Sequence, residues 1–239
     1  KMTGFMCACA SGRDEIVRIM LSYHRRSKSL IDPNEHEGSK FEHPVLSVAS
    51  GLGHANVVSA LLQHPNIDVN ARSKFTGETA LMYACLYGNS RVVSDLMNHP
   101  RIDVNIRRQD SKSALMIACY NGHHEVVRTM LSHPRNSLID VNEVDNIGKT
   151  PLMYACFLGH VEVVSILSSN PRVNINKKLF SFGFEFTALM FACAQGHMDV
   201  IKTLLVNRGN ELDVELGPIV IKRISFNAAL SCVKEALID

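Results

Sequence analysis

The sequence predicts an all-α fold, a solenoid of stacked helix-turn-helix units joined by projecting loops. Three observations carry that prediction. A segment of the form Thr-Ala-Leu-Met-Tyr-Ala-Cys-x-x-Gly returns along the chain at a nearly fixed period; each copy is followed by apolar residues at the spacing of one helix face; and several units close on a proline and an extended Asp-Val-Asn.

The segment is clearest as Thr79 to Gly88, Ser113 to Gly122, Thr150 to Gly159 and Thr187 to Gly196, with looser copies from Thr3 to Gly12 and from Pro44 to Gly53. The glycines lie 41, 35, 34, 37 and 37 residues apart. The opening Thr or Ser suits a helix N-cap, Pro151 stands where a missing amide costs nothing, and the glycine suits the left-handed residue that closes a helix. A second helix follows, marked by Val57, Val58, Leu61 and Leu62, by Val92, Val93, Leu96 and Met97, and by Val126, Val127, Met130 and Leu131. Ser168 interrupts that stripe in the fifth copy, where Ile166 is expected to compensate. In His64-Pro-Asn-Ile-Asp-Val-Asn70 and His99-Pro-Arg-Ile-Asp-Val-Asn105 the proline ends the second helix and the extended tail leads to the next unit. One pair of short helices cannot bury its apolar face alone, so neighbouring pairs must stack.

These features resemble the ankyrin repeat, whose period is about 33 residues and whose signature includes Thr-Pro-Leu-His-x-Ala. The most similar copy is Thr150-Pro-Leu-Met-Tyr-Ala155 with Gly159-His160 and Glu162-Val-Val164. Six repeats are expected over residues 1–215, divided at about 1–43, 44–78, 79–112, 113–149, 150–186 and 187–215. Residues 216–239 form either a C-terminal capping helix or a truncated seventh repeat. The resemblance implies a curved solenoid with hairpin fingers, first helices on the concave side, and a use in protein recognition. Where the family has histidine, this chain carries Met6, Ser47, Met82, Met116, Met153 and Met190. The hydrogen bonds credited to that histidine must therefore be absent or replaced by thioether packing.

Composition narrows the function classes. The formal charge is +2 and no window approaches the roughly 18 apolar residues of a membrane span, which counts against a nucleic-acid surface and a membrane segment. Seven cysteines, an odd number in a chain too long to need disulfides, fit an intracellular setting, cytoplasmic or nuclear. Cys9, Cys85, Cys119, Cys156 and Cys193 recur at one place in the repeat and read as a buried stripe of small apolar residues, since stacked helix pairs hold equivalent positions roughly 8 to 10 Å apart. His54, His123, His160 and His197 follow the turn glycine, too sparse for a metal site and suited to a hydrogen bond that stabilises the turn. No segment outside the repeat brings together a nucleophile, a base and an anion hole, so neither catalysis nor a cofactor is expected.

The expected function is a protein-protein interaction module. The alternative is a regulatory or substrate-recruiting segment of a larger enzyme or effector whose catalytic domain lies elsewhere. In ankyrin repeats the two residues before the turn glycine end the inner helix and face the concave side. Here they are Gly51 and Leu52, Leu86 and Tyr87, Tyr120 and Asn121, Phe157 and Leu158, Ala194 and Gln195. Phe75, Arg108, Lys112 and Lys149 are expected to project from the adjoining fingers, whose modest positive surplus favours an acidic protein or peptide. Phe180, Phe182, Phe184 and Phe186 alternate with a period of two, which predicts a hairpin with one aromatic face. A monomer is the expected state, and truncating Tyr87, Tyr120 or Phe157 is expected to weaken partner binding with little effect on stability.

Overall fold

The hydroxyl that opens each unit holds the first turn of a helix. In the computed structural model, which describes residues 3–26, 31–36, 43–181 and 184–213 (23–26 by backbone alone), Thr3, Thr79, Ser113, Thr150 and Thr187 each accept a hydrogen bond from the amide three residues on. Each such cap stabilises its helix by about 1 kcal/mol. The amide that donates belongs each time to the recurrent methionine, whose side chain is buried. At Met153 the thioether also turns back to accept from the Thr150 amide at 3.5 Å, so sulfur takes over a capping role as well as filling the core.

The helices pair as the periodicity predicts: α1 (Gly4–Ala10) with α2 (Asp14–Arg26), α3 (Val45–Gly51) with α4 (Ala55–Leu62), α5 (Ala80–Leu86) with α6 (Ser90–Asn98), α7 (Ala114–Tyr120) with α8 (His124–Ser132), α9 (Pro151–Leu158) with α10 (Val161–Ser168), and α11 (Ala188–Gln195) with α12 (Met198–Arg208). Packing groups the chain into two compact units, residues 1–118 with 128–139 and residues 119–127 with 140–239. In the first unit α1, α3 and α5 stack as an inner row and α2, α4 and α6 as an outer one. In the second, α9 stacks on α11 and α10 on α12.

The turn glycine meets two demands. It takes a left-handed backbone, φ +79° at Gly159 for example, and it leaves room for the next repeat. A Cβ on Gly159 would lie 2.8 Å from the His197 ring, and one on Gly122 2.7 Å from His160. These histidines bond differently from the turn-stabilising role expected of them. His54, His160 and His197 donate from Nε2 across the repeat boundary to the carbonyls of Ala10, Tyr120 and Phe157, at 3.0, 3.0 and 3.1 Å, and Asn89 reaches Ser50 and Gly51 in the same way at 2.8 Å. The reason is local: the last carbonyls of an inner helix have no partner within that helix.

A second ladder explains the Asp-Val-Asn signature. Asn70 donates to the Arg101 carbonyl and accepts from the Asp103 amide, and Asn142 does the same with Arg172 and Asn174. Asn34 and Asn176 repeat the arrangement, and Asn105 donates to the Leu138 carbonyl.

Two expectations are corrected. Ser168 is itself fully buried in the outer-helix stripe and accepts from Asn207 at 2.7 Å, while Ile166 stays half-buried, because a helix cannot exchange adjacent faces without rotating. The finger before Thr187 is a hairpin, β1 (Leu179–Ser181) antiparallel to β2 (Phe184–Phe186), but it has no single aromatic face. Phe180 pairs with Glu185, and Leu179 with Phe186, so crossing the turn reverses parity and sets Phe180 on the side opposite Phe184 and Phe186. Phe182 and the proposed C-terminal helix at 216–239 lie outside the described residues.

Candidate functional site

In the second unit the inner-helix ends and the fingers build an aromatic surface around one cation. Tyr154 and Phe157 are three residues apart on α9 and share a face. The Tyr154 ring meets Tyr120 edge-on at 5.4 Å, and Phe157 meets Phe191 edge-on at 5.9 Å. Phe186, from β2, stacks on Phe191 at 5.8 Å and 24°. The Lys149 ammonium sits 4.6 Å from the Phe157 centroid, 5.1 Å from Phe191 and 5.3 Å from Tyr154. A cation so placed gains about 0.5 to 2 kcal/mol per favourable ring contact, more as water is excluded.

The finger that carries Lys149 is fixed by its own turn. Asp145, which is buried, accepts from the amides of Ile147 and Lys149 at 3.1 and 2.9 Å, and the Tyr154 hydroxyl donates to its second oxygen. Gly148 closes the turn at φ +83°, with the Leu179 side chain lying where a Cβ would stand. His160 and His197 hold the backbone of Tyr120 and Phe157 from the neighbouring repeat. Exposure falls along the row: Tyr120 is 46% exposed, whereas Phe157, Leu158, Phe191 and Phe186 are half-buried and Tyr154 is covered. Asn121 is half-buried, and Gln195 and Phe184 are exposed.

In the first unit Tyr87 caps α5 with its ring 60% exposed, lying over Gly51, where a Cβ would come within 3.2 Å of it. Beneath it Tyr83 shares a 2.8 Å hydrogen bond with His43 and meets that ring edge-on at 5.2 Å. Burial, reinforced by the Glu78 carboxylate, pushes the Tyr83 phenol well above its ordinary value. Leu52 and Phe75 are exposed and Leu86 half-buried. Arg108 and Lys112 are held within their finger: Arg108 pairs with Glu78 at 2.8 Å and with Asp110 at 2.5 Å, and Lys112 with Asp110 at 3.2 Å. The positive surplus of this finger is thus largely neutralised.

Tyr83 in the first unit and Tyr154 and Phe191 in the second follow the recurrent methionine and lie outside the residue pairs that precede each glycine, yet each adds a ring to its own unit's surface. Their signal was in the sequence, since a residue three positions before Phe157 shares its helix face. Among the described residues no helix is long and apolar enough to cross a membrane, and no cluster of His, Cys, Asp and Glu is arranged to hold a metal ion.

The family model described as ankyrin repeats in three copies matches residues 5–110 and again 96–179, and a model of the single ankyrin repeat matches residues 184–215. Among solved structures the chain is similar to the ankyrin repeat domain of Bcl-3, described as a unique member of the IkappaB protein family. The TM-score is 0.73 over 87% of this chain and 86% of that one, at 21% identity, a likeness of fold. No curated protein matches the chain.

Proposed function

The chain belongs to the ankyrin-repeat family, and from that premise we propose that it binds a protein or peptide partner through the exposed ends of its inner helices and the fingers beside them. Ankyrin repeats are non-catalytic protein-protein interaction modules. The observation that carries the finer reading is the surface in which Phe157, Phe191 and Tyr154 surround Lys149, with Tyr120 and Phe186 against their rings. Stacking the repeats requires no aromatic ring at these helix ends, and the first unit has Gly51 at the same place. An exposed ring such as Tyr120 beside half-buried rings and a cation is the composition of a binding hot spot. A positive charge set among apolar rings favours a partner segment that offers a carboxylate between apolar side chains. The partner is of the kind met inside the cell, in cytoplasm or nucleus, and the chain meets it as a monomer.

The test is capture of a partner by the wild-type chain, identification by mass spectrometry, and titration of that partner against Tyr120→Ala and Lys149→Met. Each substitution at a hot spot lowers affinity by about 1 to 3 kcal/mol. Unchanged affinity in both folded variants would move the interface to another face.

A further inference from the structure

The first helix pair carries an interface half that no described residue covers. In later pairs the residue four positions after the turn glycine is almost fully buried, at 0% for Val57, 1% for Val92 and 0% for Val200, and so is the residue one turn further on, Leu61, Leu96 and Leu204. Ile16 and Met20 hold these two places in the first pair. Ile16 is 48% exposed and Met20 is only half-buried. Their neighbours on the same helix, Val17 and Leu21, are buried like the equivalent Val58. Positions 16 and 20 are therefore those that in a later pair meet the pair before it.

The inner helix repeats the contrast. Val45, Ala80 and Ala188 are buried, whereas Gly4 at the same place is exposed, and no described atom lies within 4 Å of where its Cβ would stand. The polar part of the interface is present too. Arg13 occupies the position from which His54, Asn89 and His197 donate to the last carbonyls of the preceding inner helix. It is exposed and, among the described residues, makes no side-chain hydrogen bond, while a guanidinium offers several donors for the same task.

We propose that this face is a docking surface for one further helix pair of the same repeat type, stacked on α1 and α2 as α3 and α4 stack on them from the other side. The occupant follows from continuity with the interfaces between the described repeats. Apolar side chains at 16 and 20, an uncovered inner-helix start at Gly4 and a donor at Arg13 stand at the four places that are buried or hydrogen-bonded in later pairs. A face meant for water would carry polar residues at positions 16 and 20, as terminal repeats of solenoids do.

The experiment fuses one consensus helix pair with its finger directly before Lys1 of the full chain and follows amide exchange and denaturant unfolding. The expected result is exchange in α1 slowed at least tenfold and a raised unfolding midpoint, both abolished by Ile16→Glu in the fusion. Ile16→Glu in the unfused chain is expected to keep the wild-type midpoint. Unchanged exchange in the fusion overturns the proposal, as does a lowered midpoint of the unfused variant. A concentration-dependent dimer of the unfused chain, dispersed by Ile16→Glu, would give the face to a second copy and overturn it as well.

Discussion

Gly159→Ala and Gly196→Ala are the same substitution at the same place in consecutive repeats, with φ of +79° and +73°, yet their costs should differ. Placing an alanine in a left-handed conformation costs about 1 kcal/mol at either site. At Gly196 no described atom lies within 4 Å of the new methyl group, so that is the whole effect. At Gly159 the methyl carbon would stand 2.8 Å from the His197 Cε1, and the ring must move away from the Phe157 carbonyl that it now reaches at 3.1 Å. Losing that hydrogen bond adds about 1 kcal/mol, for a total of about 2 kcal/mol. In a His197→Ala background the excess should vanish, giving a coupling of about 1 kcal/mol in a double-mutant cycle. Urea unfolding followed by circular dichroism, with the slope unchanged, measures all four variants. Equal costs at the two glycines would refute the account of the histidine as a clamp between repeats.

The remaining predictions concern the core, the thiols and one ion pair. The Ser47 and Ser50 hydroxyls are buried without a hydrogen-bond partner among the described residues, so Ser50→Ala should raise stability by about 1 kcal/mol, read as a higher urea midpoint; a lower midpoint would mean that the hydroxyl is satisfied. Burial pushes the Cys9 thiol up to about 12 and Cys193 up to about 11, and raises Cys85 and Cys156 further. Peptide mapping after thiol labelling of the native protein should find exposed Cys7 modified and these four, with buried Cys119, modified only in denaturant. Hydrogen bonds from Arg108 hold the Asp110 carboxyl well below the usual carboxylate range. A carboxyl depressed in the folded state contributes stability above its unfolded pKa of about 3.9, and that stability is lost as pH falls through the folded value. Asp110→Asn should therefore be less stable than wild type at pH 7, with the gap closing below pH 4; a constant gap would rule out this linkage.

The helices, their caps and the turn glycines were legible because each depends on local chemistry: a hydroxyl before an apolar run, a glycine after it, a 3.6-residue period. What the sequence concealed depends on neighbours one repeat away. The His197 and Asn142 side chains look like turn residues until a neighbouring repeat supplies a carbonyl for each, the preceding one for His197 and the following one for Asn142. The aromatic alternation from Phe180 to Phe186 suggested one face because period-two counting does not register the reversal at a hairpin turn. Arg108 read as a projecting charge because Glu78, thirty residues away, becomes its neighbour only when the fingers stand side by side. Phe157 differs in another way. Half-buried against Phe191 and Lys149, it should lose stability as well as binding when truncated, so the more exposed Tyr87 and Tyr120 separate the two effects better.

If exposed rings at the inner-helix ends bind a protein partner, the affinity of a captured partner for Tyr87→Ala/Tyr120→Ala, set beside that variant's melting temperature, shows it. The expected result is an affinity loss of about tenfold or more with melting unchanged within a few degrees. A variant that melts with the wild type and binds with wild-type affinity would contradict it.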